Sequence, residues 1–145
     1  MSIKKQLFFG SFSTILLGGL IYVLFRSPSI LMFEWFDQIN LSKYVLELRS
    51  HIDSFSLILP NWFLYSLPDG LWLFSCVSLL LIIWDNKVSK KNIFWILLMP
   101  IIAVSSELAQ FMEIIPGTFD ILDLIFYIAG SVLPILFFTN FKNLL

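Results

Sequence analysis

The chain is poor in charge, has one cysteine and one histidine, and lacks repeats, low-complexity tracts and any dense basic face. Of its 145 residues 13% are charged and 59% hydrophobic, against roughly 25% and 45–50% in a soluble domain. That composition is one of an integral membrane protein, and the length allows one domain. Cys76 lies inside an apolar run, so no disulfide or thiolate metal site forms within one chain, and it reads as a buried free thiol. His51 has no metal-ligand partner at a useful spacing, which argues against zinc. The missing basic face argues against nucleic acid as a partner, and no cofactor is expected. Membrane lipids are the expected partners.

Four apolar runs stand out, at about 6–25, 66–84, 93–112 and 121–139. Each approaches the roughly 20 helical residues that cross a hydrocarbon core of about 30 Å. The expected fold is therefore all-α, a single transmembrane domain of four helices over 1–145. The first run follows Lys4 and Lys5, as in a signal peptide, but Arg26-Ser27-Pro28 stands where a small-residue cleavage site belongs, so a retained helix is expected. Gly10, Thr14 and Gly18 recur on one face of it, a pattern suited to close helix packing in lipid. If the helices alternate, Lys4, Lys5, Lys87, Lys90, Lys91 and Lys142 fall on one side, and Glu34, Asp37, Glu47, Asp53, Glu113 and Asp120 on the other, where Arg26, Lys43 and Arg49 also lie but are diluted over a much longer loop. Cytoplasmic loops collect Lys and Arg, so both termini are expected in the cytoplasm.

The extracytoplasmic loop, about 27–65, is too polar to span and too aromatic for a plain linker. Ile30–Phe36 and Leu57–Phe63 mix large apolar groups with occasional charges. Trp and Tyr favour the headgroup level, so one or two helices lying on the outer surface are expected here.

The polar residues of the last two runs carry most of the chemical information. Glu107 lies fourteen residues beyond Ile93, about 21 Å along the helix at about 1.5 Å per residue. No helix end explains it there, and a carboxylate within a bilayer is costly and faces a bundle interior or a polar pocket. Pro100, Ala103, Glu107 and Gln110 share one face of the third helix; Asp123, Tyr127, Gly130 and Pro134 form a stripe on the fourth. Pro116-Gly117 marks a tight turn between them. The two helices are expected as an antiparallel pair with these faces in contact, Tyr127 donating to Glu107. Gly130 would leave room for the ring of Pro134 and its kink. Asp120 and Asp123 also suit the first turn of the fourth helix as cap and dipole partner, and Asp69 the same position of the second.

Glu107-x-x-Gln110 followed by Gly117-Thr118-Phe119-Asp120-x-x-Asp123-x-x-x-Tyr127-x-x-Gly130 resembles the signature of the VanZ-like family. Those are small polytopic bacterial membrane proteins, named for a member that confers resistance to teicoplanin. Glu107, Gln110, Asp120 and Asp123 match polar family positions; the family's Arg near the turn is missing, and Tyr127 stands where Asn is usual. The likeness covers the last two spans, and Leu67–Trp72 is placed on the same surface by Asp69. It implies a cell-envelope role in the bacterial inner membrane, with a possible link to antibiotic resistance.

Three functions fit these residues. The first is a non-catalytic pocket in the outer leaflet that binds a lipid, a wall precursor or an amphiphilic drug. Glu107, Gln110, Asp123, Tyr127, Asp120 and Asp69 would supply its polar groups, with Trp62 and Trp72 near the rim. A membrane-embedded lipid-modifying enzyme is the second: paired carboxylates do acid–base work, but no nucleophile–base pair or convincing metal set accompanies them. The third is a proton- or cation-coupled carrier centred on Glu107, for which four helices would need a homo-oligomer.

Overall fold

Residues 2–28 and 31–139 are described by the computed structural model, without the side chains of 53–56. Ile30, Lys142 and the side chain of Asp53, all used above, lie outside the described residues. Those residues form seven helices and no strand: α1 (Ile3–Phe25), α2 (Leu31–Gln38), α3 (Ser42–Ser56), α4 (Asn61–Leu64), α5 (Ser66–Ile83), α6 (Ile93–Phe111) and α7 (Ile121–Phe138). Four stretches are long and apolar enough to cross a membrane: α1, α4 with α5 (Asn61–Ile83), α6 and α7. The second of these begins a turn earlier than the apolar run alone indicates. Large side chains such as Phe8, Phe12, Leu16, Phe94, Ile101 and Phe137 are exposed on the outward faces. That is the surface of a multi-pass membrane protein, whose solvent on those faces is lipid. The long segment between the first two spans holds two helices, α2 and α3.

Local chemistry fixes the ends of these helices. Ser2 caps α1 by accepting from the Lys5 N–H at 3.4 Å. Asp120 caps α7 by accepting from the Leu122 N–H at 2.8 Å, the role its position suggested. Asn92 organises the turn before α6. Its Oδ1 accepts from the Ser89 N–H and its Nδ2 donates to the Lys87 carbonyl, both at 2.7 Å. At the far end of α1 the guanidinium of Arg49, on α3, donates to the carbonyls of Val23 and Arg26, each at 2.7 Å. It lies over the ring of Phe33 on α2. One side chain thus ties α2 and α3 to carbonyls that a helix terminus leaves without partners.

α5 is the centre of the bundle. It packs most extensively on α7 and on α1, whereas α6 touches α7 and α5 much less. Small residues explain the preference. A Cβ on Gly130 would stand 2.1 Å from the Gly70 carbonyl oxygen, and one on Gly70 would stand 2.8 Å from that of Phe126. The backbones of α5 and α7 therefore meet directly, as at other small-residue contacts in membranes. On the opposite side, a Cβ on Gly18 would lie 2.8 Å from the Trp72 ring, and Ser11 and Ser75 share a 2.8 Å hydrogen bond between buried hydroxyls. The Gly10–Gly18 face is thus the α5-facing side of α1.

α6 does pack on α7, as expected, but less extensively than α5 does, so the expected contact between the two polar faces is corrected. The Asp123–Gly130 stripe turns mainly towards α5, and Gly130 is small for the Gly70 contact rather than for the ring of Pro134. Between α6 and α7 there is instead an apolar cleft of about 300 Å³, with Pro100, Val104 and Ile128 among its walls.

All four spans meet at one end around buried Leu7, Val77, Leu81, Val88 and Ile96, flanked by Ile135 and Phe138. Lys4 forms an ion pair with Asp85 at this end. The hydrogen bond and the charge of Lys4 hold that exposed carboxyl below the usual carboxylate range. The start of α1 and the α5–α6 turn, with Lys87, Lys90 and Lys91, therefore share one end of the bundle. Arg26, Asp69 and Asp120 occupy the other.

Candidate functional site

The polar end of the bundle is assembled from three chain ends brought to one level: the C-terminus of α1, the first turn of α5 and the first turn of α7. Asp69 lies at its centre. Its Oδ2 accepts from the Tyr127 hydroxyl at 3.5 Å and lies 3.8 Å from a guanidinium nitrogen of Arg26. Arg26 is itself gripped by aromatic faces, its guanidinium carbon being 5.3 Å from the centre of the Tyr22 ring and 4.9 Å from that of Tyr65. It also donates to the Tyr65 carbonyl at 3.3 Å. Such cation–π contacts hold an arginine in place while leaving N–H donors free to act.

Glu107 is almost completely buried, at 3% exposure. Its Oε2 accepts from the Asp120 N–H at 3.4 Å, so it braces the turn before α7. The expected Tyr127–Glu107 hydrogen bond is replaced by Tyr127–Asp69. The reason is the packing above: α7 rests on α5, and its phenol turns to the carboxylate that α5 presents. Asp123 is half-buried, and its Oδ1 is buried without a hydrogen-bond partner. The fields of Asp123 and Glu107 both reach Asp69, and those of Asp123 and Asp120 reach Glu107. Asp69, Glu107 and Asp123 therefore share one electrostatic neighbourhood, with Arg26 beside Asp69.

Not every candidate joins this centre. Asp120 is exposed and serves as the α7 cap. Gln110 lies at the turn, where a Cβ on Gly117 would come within 2.6 Å of its amide carbon. Gly117 has a φ of +143°, so both the conformation and the space there call for glycine. Trp62 stacks on Phe126 with ring centres 5.9 Å apart. Among the described residues no three His, Cys, Asp or Glu side chains converge as a metal site would require.

Beside this polar end runs a groove of about 540 Å³. Ile15 and Gly19 of α1 form one wall, Met99 of α6 the other, and Trp72, Leu73 and Cys76 of α5 the floor. Asp69 and Tyr127 are its only strongly polar lining residues. From Asp69 to Cys76 is seven residues, or about 10 Å along the helix. A second groove of about 330 Å³ shares Ile15, Gly19 and Trp72 and continues past Tyr22 to Met32 of α2. Gly19 keeps the channel open, for a Cβ there would meet nothing within 4 Å. Cys76 is half-buried on this floor rather than fully enclosed.

Sequence reading missed Arg26, Tyr22 and Tyr65. The signal was present: Arg26 ends the first apolar run and Asp69 opens the second, so an antiparallel hairpin puts both at one end.

The fold and site define a four-span helical membrane protein with a carboxylate-rich polar end and an adjoining apolar groove. No family model, curated protein or solved structure matches the chain.

Proposed function

We propose that this is a VanZ-like protein of the bacterial cell envelope that binds an amphiphile in the groove beside Asp69. The amphiphile is a membrane lipid, a lipid-linked wall precursor or an amphiphilic drug. One observation carries the reading: a groove of about 540 Å³, apolar along its length, has a carboxylate and a phenol among its lining groups. Binding pockets for small molecules have this size and this make-up, mostly apolar with a few orienting polar groups. A tail would lie along Ile15, Leu73 and Met99, and a head would meet Asp69 and Tyr127.

The lysines at the opposite end support an orientation with both termini in the cytoplasm. On that reading the groove lies in the outer leaflet of the inner membrane. The α2–α3 pair would then rest on the outer surface, with exposed Trp35, Ile39 and Tyr44 at headgroup depth.

Gly19→Phe tests the reading, because the new ring enters open space and fills the channel. Native mass spectrometry of the purified protein should find a bound amphiphile that the Gly19→Phe protein lacks at equal yield. A strain carrying only that variant should match the deletion strain in its envelope lipids and its sensitivity to cell-wall antibiotics. Equal amphiphile content in both proteins would refute the groove as the binding site.

A further inference from the structure

Resting on that reading, we infer that the amphiphile held in this groove carries a hydrogen-bonding ammonium head, with Asp69 as its counter-ion. Charge complementarity is the argument. The groove lining offers one charged group, Asp69, and one phenol, Tyr127; no Lys or Arg lines it. Among the described residues Arg26 has the largest charge effect on Asp69, and the carboxylates of Asp123 and Glu107 act in the opposite sense. Arg26 pairs with Asp69 from outside the groove lining. Its contact with Asp69 is 3.8 Å, longer than a charge-assisted hydrogen bond, and its other contacts are the Tyr22 and Tyr65 rings and the Tyr65 carbonyl.

An anionic head in the groove would meet the Asp69 carboxylate and no lining cation in a low-dielectric setting, where like charges repel strongly. An ammonium group meets a carboxylate that accepts only a long 3.5 Å bond, from Tyr127, and has acceptor capacity to spare. Asp123 adds a buried oxygen without a partner close behind. The apolar floor from Asp69 to Cys76 takes the start of a single tail, with the Trp72 ring beside the head.

Cys76 supplies the test, because the only thiol in the chain lies on the groove floor. The rate of its modification by methyl methanethiosulfonate, a small neutral thiol reagent, reports whether the groove is filled. The full-length protein in maltoside micelles is given dodecylamine, dodecanoate or dodecyltrimethylammonium at equal concentration. A Ser50→Cys, Cys76→Ala protein corrects for the effect of micelle charge on the reagent. Dodecylamine should slow Cys76 modification about tenfold, the order of one charge-assisted hydrogen bond. Dodecanoate should slow it little, and dodecyltrimethylammonium, which has no N–H donor, to an intermediate degree. Asp69→Asn should abolish the protection while leaving the unprotected rate unchanged, and Asp85→Asn at the far end should keep it.

Equal protection by dodecanoate, or protection that survives Asp69→Asn, would overturn the ammonium assignment and leave the groove reading standing. If Asp69→Asn fails to fold, the comparison of heads on the native protein decides alone. Protection by none of the three amphiphiles would instead refute the groove as an amphiphile site.

Discussion

Replacing Gly130 with alanine adds one methyl group where the backbones of α5 and α7 meet directly. The new carbon would stand 2.1 Å from the Gly70 carbonyl oxygen, whereas carbon–oxygen contacts between packed backbones settle at about 3.3–3.6 Å. α5 and α7 would therefore part by roughly 1.2–1.5 Å, since a backbone carbonyl cannot rotate away as a side chain does. A radial gap of about 0.5–1 Å already forfeits a quarter to a half of the attraction between facing atoms. Overpacking of this kind costs about 1–3 kcal/mol, and the rigid obstacle puts this case at the upper end. Alanine recovers about 0.5–1 kcal/mol over glycine within a helix, leaving a net loss of about 2 kcal/mol or a roughly 30-fold shift in the folding equilibrium. Gly19→Ala is the matched control: the same methyl on another span meets nothing within 4 Å and should stabilise by about 0.5–1 kcal/mol. Unfolding of both proteins by sodium dodecyl sulfate in mixed micelles, followed by tryptophan fluorescence, measures the difference. If Gly130→Ala unfolds within about 0.5 kcal/mol of Gly19→Ala, the α5–α7 contact does not organise this bundle.

Two further outcomes follow from the same geometry. Glu107→Gln should insert and fold at normal yield, because an amide oxygen still accepts from the Asp120 N–H; Glu107→Ala should lower the folded yield by stranding that donor, a loss of about 1–3 kcal/mol. An unchanged envelope phenotype in the Gln variant would show that the charge of Glu107 is not needed for function. In a Cys76→Ala background, an impermeant thiol reagent added to intact cells should label Ser50→Cys and spare Lys90→Cys, and the reverse result would invert the proposed orientation.

The spans were legible because length and hydropathy are one-dimensional properties. A run of about 20 apolar residues bounded by charge has few alternatives in a membrane protein. The Asp120 cap and the Pro116-Gly117 turn were legible for a related reason, since both depend on neighbours in sequence. The partner of α7 was not. Spacing puts Gly130 and Tyr127 on one face, but it does not say which helix that face meets, and the tight turn pointed to α6, which α7 does touch, rather than to α5, on which that face mainly rests. Gly70 carried the missing information, as a second glycine at the matching depth of α5. Arg26 was passed over because it was counted as a loop charge, although it ends a helix whose last turn faces Asp69. The course of the groove was not legible, although Asp69, Tyr127 and Trp72, three of its lining residues, were named for a pocket. The groove exists because α1 and α6 flank α5 without closing over it, and no residue pattern records an absent contact.

That unequal packing has a consequence for the shape of whatever the groove admits. α1, α5 and α7 are locked by glycine and serine contacts that leave no room to slide. α6 is tethered near its two ends, through Ile96 in the buried cluster and Glu107 at the turn, and an open cleft lies between it and α7. Met99, the groove residue that α6 contributes, is half exposed and unbranched, a side chain that refits easily to a changed neighbour. The channel thus has one fixed bank and one yielding bank. On the proposed function, selectivity for the head would reside in the fixed bank, where Asp69 and Tyr127 are set, and tolerance for tails of different thickness in the other. Discrimination among ligands would then track head chemistry steeply and tail width hardly at all.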